Sequence, residues 1–416
     1  MKARIMVMVI ALLILLAIDY YVFQAVLVVS KDWTSVWRNV MRIGFWVPTV
    51  LSFSAIAWWA FGDQYTMTPQ MRTVIFTSLI GLYFSKIFGV LVLFAEDVFR
   101  GMKWVVNYFY KGTEENLPGV SISRSEFISK AALVASAIPF GTMAYGIISG
   151  AHDYRVRRKT IYLPNLPKAF DGIRLGQISD IHSGSFFNKT AVKGGVEMMM
   201  QEKPDLIMFT GDLVNNEASE VKDYINIFDK FKAPLGVYSV TGNHDYGDYV
   251  MWKSKQMKQD NFNNLIEAHR LMGFDLLMNE NRFVEIGGEK LAIIGIENWG
   301  GGRFAKYGKL DEAYKGTEEA ATKILLSHDP SHWDAQVLSM YPDIDLALAG
   351  HTHGFQFGVE IGDFKWSPSQ YAYKQWAGLY QTGSQYLYVN RGFGYLGYPG
   401  RVGMPPELTI LELKRA

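Results

Sequence analysis

The 416-residue chain contains no cysteine, which removes disulfide staples, thiolate metal sites and a cysteine nucleophile from consideration. It also lacks a dominant charge. Forty-one Lys and Arg against 40 Asp and Glu leave a formal net charge of +1, and no dense basic stripe follows any segment, so a nucleic-acid partner is not expected. What is present is uneven. The hydrophobic fraction is 49%, with the long apolar runs confined to the first 150 residues. A chain of this length exceeds one ordinary domain. The expected division is a transmembrane region over residues 1–150 and a second domain over 151–416.

Residues 5–29 are nearly unbroken in apolar character, longer than the roughly 20 residues a helix needs to cross a bilayer. Residues 43–61 form a second run around Pro48, which helix packing inside a membrane tolerates. Residues 74–95 form a third, and residues 127–148, rich in small side chains, a fourth. Repetition of such runs does not fit a secretory signal, which has one short core before a cleavage site. Asp19 and Lys86 interrupt the first and third runs. They read either as a pair across the bundle or as span-end groups reaching for the headgroups. The stretch from Glu96 to Lys111 mixes aromatic and basic residues and reads either as an interfacial helix or as a plain connecting helix. The segment Ser123-Arg124-Ser125-Glu126-Phe127-Ile128-Ser129-Lys130 resembles a twin-arginine export signal with the second arginine missing, which puts the second domain outside. The basic cluster Arg155, Arg157, Arg158 and Lys159 pulls the other way, though it also suits a first strand.

From Arg174 onward, short apolar runs ending in polar clusters alternate with amphipathic stretches, the pattern of an α/β domain. Five runs are followed by Asp180-Ile181-His182, Gly211-Asp212, Gly242-Asn243-His244-Asp245, His328 and His351-Thr352-His353. The first three clusters are spaced by about one βαβ unit, which places them at the carboxyl ends of neighbouring strands. Five of the chain's eight histidines fall in these clusters. A mixed imidazole and oxygen donor set suits Mn, Fe or Zn better than Mg or Ca. His152, His269 and His332 match no cluster and are expected on the surface or partly buried.

The order D-x-H, G-D, G-N-H-D, H, G-H-x-H resembles the calcineurin-like metallophosphoesterases over about residues 161–413. The closing Asn390-Arg391-Gly392-Phe393-Gly394 and Pro399-Gly400-Arg401 are similar to a membrane-associated bacterial branch of that family, akin to twin-arginine-exported phosphodiesterases and UDP-diacylglucosamine pyrophosphatases. The resemblance implies a four-layer α/β/β/α sandwich behind a membrane bundle of about four helices. It implies two divalent ions, one held by Asp180, His182, Asp212 and His353, the other by Asp212, Asn243, His328 and His351, with Asp212 bridging. It implies hydrolysis of phosphate esters or pyrophosphates by a metal-bridging hydroxide. His244 is placed to assist the phosphoryl group or the leaving oxygen, with Asp245 orienting its ring.

The expected setting is a bacterial inner membrane, with a lipid-linked or envelope-precursor phosphate as substrate. The competing reading is a membrane sensor or transporter with a regulatory metal domain. Gly300-Gly301-Gly302-Arg303 reads as a flexible turn or as a loop offering Arg303 to a phosphate. The aromatic group Trp366, Tyr371, Tyr373, Trp376 and Tyr380 fits sheet packing, an acyl-chain cradle or the bilayer interface.

Overall fold

The computed structural model describes residues 2–61, 69–109, 126–302, 304–362 and 364–416. The chain forms two compact units, Met1–Ala144 and Tyr145–Ala416. Four helices open it: α1 (Lys2–Val29), α2 (Ser35–Phe61), α3 (Pro69–Phe109) and α4 (Glu126–Ile148). Each is long and apolar enough to span a bilayer. Their outward side chains include Leu13, Ile14, Val50, Leu51 and Leu91, whereas Asp19, Ser85, Lys86 and Ser129 are buried. That polarity is the reverse of a soluble bundle and fits lipid as solvent. Close helix approach rests on small residues, since a Cβ at Gly89 would lie 2.2 Å from Ser136 Oγ and 2.9 Å from the Ala132 carbonyl oxygen.

Two open readings are decided here. Glu96 to Phe109 is no separate interfacial helix but the continuation of the third span, because no proline interrupts α3. Asp19 and Lys86 do not reach for headgroups. The Lys86 ammonium is ion-paired with Asp19, and the hydroxyls of Thr49 and Tyr83 each donate to Asp19 Oδ2 at 2.8 Å. Three helices therefore share one carboxylate.

The second unit begins with β1 (Arg155–Leu163), which takes up the basic cluster. There follow β2 (Arg174–Ile178), α5 (Lys189–Gln201), β3 (Leu206–Phe209), β4 (Val237–Ser239), a helix over Lys255–Met272 and β5 (Asp275–Leu276). Next come β6 (Glu280–Ile286), β7 (Glu289–Gly295), β8 (Thr322–Leu326), β9 (Leu346–Ala349), β10 (Val359–Ile361), β11 (Phe364–Trp366), β12 (Gly378–Thr382), β13 (Gln385–Val389) and β14 (Glu407–Arg415). One six-stranded sheet runs β1-β14-β2-β3-β4-β5, a second runs β12-β13-β9-β8-β7-β6, and β10 and β11 make a separate hairpin.

Strands β2 to β5 are mutually parallel, as are β7, β8, β9 and β13. Their near-continuous apolar runs follow from burial on both faces. Leu175, Met208, Leu291, Ile324, Leu346 and Leu411 fill the layer between the sheets. On the outer face of the first sheet, Ile207 and Phe209 meet Val196 and Met199 of α5 and Leu265 of the helix over Lys255–Met272. Leu325 and Ala347 on the outer face of the second meet Trp333, Val337 and Leu310. These are the four layers of an α/β/β/α sandwich. α5 starts on Asn188, whose side chain accepts from the Ala191 N–H at 3.0 Å.

Removing one member of the Asp19–Lys86 pair leaves a buried charge without its partner. Asp19→Asn or Lys86→Met is expected to cost about 3 kcal/mol in the full chain, while the double variant recovers most of that. Thermal unfolding in lipid nanodiscs reads both; a double variant no more stable than either single one would dismiss the coupling.

Candidate metal centre

Every cluster of polar residues read from the sequence sits at the carboxyl end of a strand: Asp180 and His182 after β2, Asp212 after β3, Asn243 and His244 after β4, His328 after β8, and His351 and His353 after β9. The site thus joins the edges of both sheets. The loops are fastened to one another by main-chain bonds from Asp180 N–H to Gly211 O (2.9 Å), His182 N–H to Asp212 O (3.1 Å) and Gly350 N–H to His328 O (2.9 Å). Asp180, His182, Asp212, His351 and His353 all have positive φ, between 49° and 70°. L-residues seldom adopt this conformation, and it persists where surrounding structure enforces it. Gly350 is required by close approach, since a Cβ there would lie 1.9 Å from Ser179 Oγ and 2.2 Å from Asp180 Oδ2.

Among the described residues, two groups have their donor atoms converging within 4.8 Å: Asp180, His182 and His353, and Asp212, His328 and His351. His182 Nε2 lies 3.0 Å from His353 Nε2, and His351 Nδ1 lies 3.3 Å from His328 Nε2. Asp212 Oδ2 is 3.5 Å from His182 Nε2 and 3.1 Å from His328 Nε2, so one oxygen faces both groups. Its other oxygen accepts the His244 N–H at 2.9 Å. Asn243 donates from Nδ2 to Tyr249 at 2.9 Å, and its buried Oδ1 has no hydrogen-bond partner. Imidazole nitrogens aimed at each other beside an orphaned amide oxygen make a donor set that a divalent cation satisfies and that these groups alone do not.

The surrounding contacts select the ligating atoms. His328 Nδ1 lies 2.7 Å from the Thr210 carbonyl, which accepts only, so that nitrogen keeps its proton and Nε2 is the atom that can exchange a proton for a cation. His351 Nε2 faces the Tyr373 hydroxyl at 2.8 Å, which leaves Nδ1 for the cluster. Burial opposes charging of His328, yet the Asp212 carboxylate overrides it and pushes the ring up to about 10. Burial would raise Asp180, but His353 beside it holds its carboxyl well below the usual range. Burial keeps His182 neutral.

Asp245 does not orient the His244 ring. Its carboxylate accepts the N–H groups of Gly242, Asp212, Leu213 and Val214 at 2.8, 3.0, 2.9 and 3.3 Å, which locks the loop carrying Asp212. Burial, aided by the Asp212 carboxylate, pushes it up to about 7. The His244 ring is oriented instead by the Asn215 carbonyl, 2.7 Å from Nδ1, and stands edge-on to His182 with ring centroids 5.0 Å apart.

Family models match both units. One described as "Probable Calcineurin-like phosphoesterase, transmembrane domain" covers residues 3–151, and one for the calcineurin-like phosphoesterase domain covers 173–355. An uncharacterized metallophosphoesterase of Bacillus subtilis is 31% identical, with 70% of this chain and 98% of that protein aligned. The chain belongs to the calcineurin-like metallophosphoesterases. It is a membrane-anchored member of that family. It is also 30% identical to a zebrafish (Danio rerio) transmembrane protein with a metallophosphoesterase domain, over 68% of this chain and 62% of that one. An uncharacterized metallophosphoesterase of Aquifex aeolicus is 28% identical over 65% of this chain and 98% of its own length. The chain spans less than two thirds of the zebrafish relative.

For a metallophosphoesterase site, the sequence reading missed Asn215, Tyr249 and the main-chain carbonyl of Thr210 as orienting groups. Asn215 and Tyr249 follow their cluster residues by only a few positions, so proximity in sequence was a usable signal. Tyr373 was expected among packing or membrane aromatics but holds His351. Arg303 and the segment 123–125 lie outside the described residues. His269 and His332 are buried rather than superficial. His269 contacts Ser239 Oγ at 3.0 Å and Phe209, and His332 stacks on Trp299.

Burial pushes His269 down to about 3 and His332 down to about 4. Both rings are neutral when folded, whereas the unfolded chain protonates them below about pH 6.5. Stability should therefore fall with acidification from that point, by about 1.4 kcal/mol per pH unit for each ring until its folded-state value is reached. Denaturation of His269→Gln between about pH 6.5 and about 4.5, within the range where the unfolded ring protonates and the folded one does not, should show a shallower loss; an unchanged slope contradicts this account.

Proposed function

We propose that the protein is a hydrolase of phosphate esters or pyrophosphates working with two divalent cations, Mn, Fe or Zn. Asp180, His182, Asp212 and His353 hold one, and Asp212, Asn243, His328 and His351 hold the other. The single observation that carries this reading is the shared Asp212 Oδ2, which faces His182 and His328 at once. The ions, when bound, supply Lewis acidity toward the phosphoryl oxygens and acidify a water.

The chain's own groups do the rest. Asp245 fixes the backbone around Asp212, and the His244 N–H holds Asp212 Oδ1, so Oδ2 keeps its direction. With its Nδ1 proton committed to the Asn215 carbonyl, His244 directs Nε2 toward the site, where only the imidazolium form, which carries a second proton on Nε2, donates a hydrogen bond to a phosphoryl oxygen or passes that proton to the departing alkoxide and is left neutral. Asp245 is a positioning residue in this scheme and His244 a catalytic one.

The finer reading is a lipid-linked or envelope-precursor phosphate met at a bacterial inner membrane, with the phosphoesterase unit on the extracytoplasmic side and the membrane region ending near residue 150. It is supported by the four spans and by the export-like sequence of residues 123–130.

Metal content and turnover of a chromogenic phosphodiester, a monoester and a UDP-lipid pyrophosphate are measured on the full chain beside Asp212→Asn. The expected result is metal-dependent turnover reduced more than about 100-fold in the variant, with loss of bound metal. Full turnover in excess chelator overturns the proposal, and two bound metals without turnover on any substrate favour the sensing role.

A further inference from the structure

Immediately after His353 the chain enters a hairpin whose polarity is inside out. In a sheet on a soluble domain, alternate residues point apolar side chains inward and polar ones to water. Here Phe355, Phe357, Val359 and Ile361 are exposed, while the residues between them face the protein. Gln356 is buried and bonded to the Tyr398 and Gly400 carbonyls at 2.8 and 3.1 Å. Glu360 is bonded to Arg391 Nε at 3.0 Å and ion-paired with Arg157. The β10–β11 register repeats the pattern: Ile361 lies opposite Phe364 and Val359 opposite Trp366, whereas Glu360 lies opposite Lys365. Lys365 donates to the Ala377 carbonyl at 2.7 Å, so this face is tethered on both strands.

The tethers prevent inversion. Turning the hairpin over would expose little benefit, because Glu360 would leave buried Arg391 without this partner. The apolar face is thus held outward. Ile361 is 73% and Phe364 62% exposed, and Tyr371, with its hydroxyl 3.4 Å from Trp366 Nε1, stands at the rim. Phe355, Phe357, Val359, Ile361, Phe364 and Trp366 carry no charge, and the exposed Lys365 between the last two is bonded to the Ala377 carbonyl. Aliphatic and Phe side chains rimmed by Trp and Tyr match the boundary between acyl chains and headgroups, and four helices of this chain are long and apolar enough to lie in such a bilayer.

We propose that the outward face of the β10–β11 hairpin, formed by Phe355, Phe357, Val359, Ile361, Phe364 and Trp366, is a bilayer-contact surface of the phosphoesterase unit. Phe355 is two residues from His353, so lipid contact and candidate metal ligation share one short stretch of backbone. A surface seated in lipid beside the site selects amphiphilic phosphates over soluble ones. The contact itself does not depend on the hydrolase reading.

The absence of cysteine makes the test direct. In the full chain, Ile361→Cys or Phe364→Cys carries a single environment-sensitive fluorophore, with Glu319→Cys as a control on an exposed position of the same unit. The proteins are reconstituted in phosphatidylethanolamine and phosphatidylglycerol vesicles with or without doxyl-labelled phosphatidylcholine, and thermal unfolding verifies each variant. Blue-shifted emission quenched by doxyl lipid at 361 and 364, and not at 319, is the expected result. Water-like, unquenched emission overturns the proposal, as does energy transfer between labelled copies without lipid quenching, which would assign the face to a second copy of the chain. This readout requires no turnover, so its failure is distinguishable from failure of the proposed hydrolysis. Where hydrolysis is present, Ile361→Asp with Phe364→Asp should raise KM for a vesicle-embedded phosphate by about tenfold or more, on the scale of one or two lost apolar contacts, and leave kcat on a soluble diester unchanged.

Discussion

The direction of one carboxylate, that of Asp212, underlies the rest of the site. Its Oδ1 is held by the His244 N–H, and the loop that bears it is clamped by Asp245 through four main-chain N–H groups. Only then does Oδ2 lie between His182 and His328, which arrive from different sheets. The left-handed backbone at Asp212 itself and at Asp180, His182, His351 and His353 around it is the conformational cost of that convergence. It persists because the layer between the two sheets, and the main-chain bonds between loops, leave the site no cheaper arrangement.

The sandwich serves this geometry. Parallel strands deliver their carboxyl ends to one edge, and two such sheets packed face to face bring five loops within reach of a single volume. Burial on both faces gives each sheet the rigidity that holds histidine rings in fixed orientations. Carbonyl and hydroxyl partners at Thr210, Asn215 and Tyr373 then decide which ring nitrogen faces the centre.

Polarity is reversed in two places, and the chain uses the same device in both. In the membrane bundle, Asp19 and Lys86 are interior while aliphatic side chains face outward. In the hairpin after His353, Gln356 and Glu360 are anchored inward and phenylalanine and isoleucine are turned out. Each polar group is satisfied by specific partners, so the apolar outer surface is set by hydrogen bonding and ion pairing rather than by a failure of burial.

The sequence by itself determined the four spans, the α/β alternation, the strand-end clusters and the family, because hydropathy, periodicity and motif order are local or ordered signals that survive without coordinates. It left Asp19 and Lys86 between two readings, since pairing across helices depends on helix rotation and neighbours such as Thr49 and Tyr83. It split α3 at Glu96, where a change of composition looked like a boundary although no helix breaker stands there. It assigned Asp245 to His244, its neighbour in sequence, whereas the tertiary structure turned that carboxylate toward the β3 loop and gave the ring to Asn215. The inverted face of the β10–β11 hairpin was equally out of sight. An alternating pattern reveals that two faces differ, but only the packing of Gln356, Glu360 and Lys365 against the rest of the domain decides which of them meets the protein.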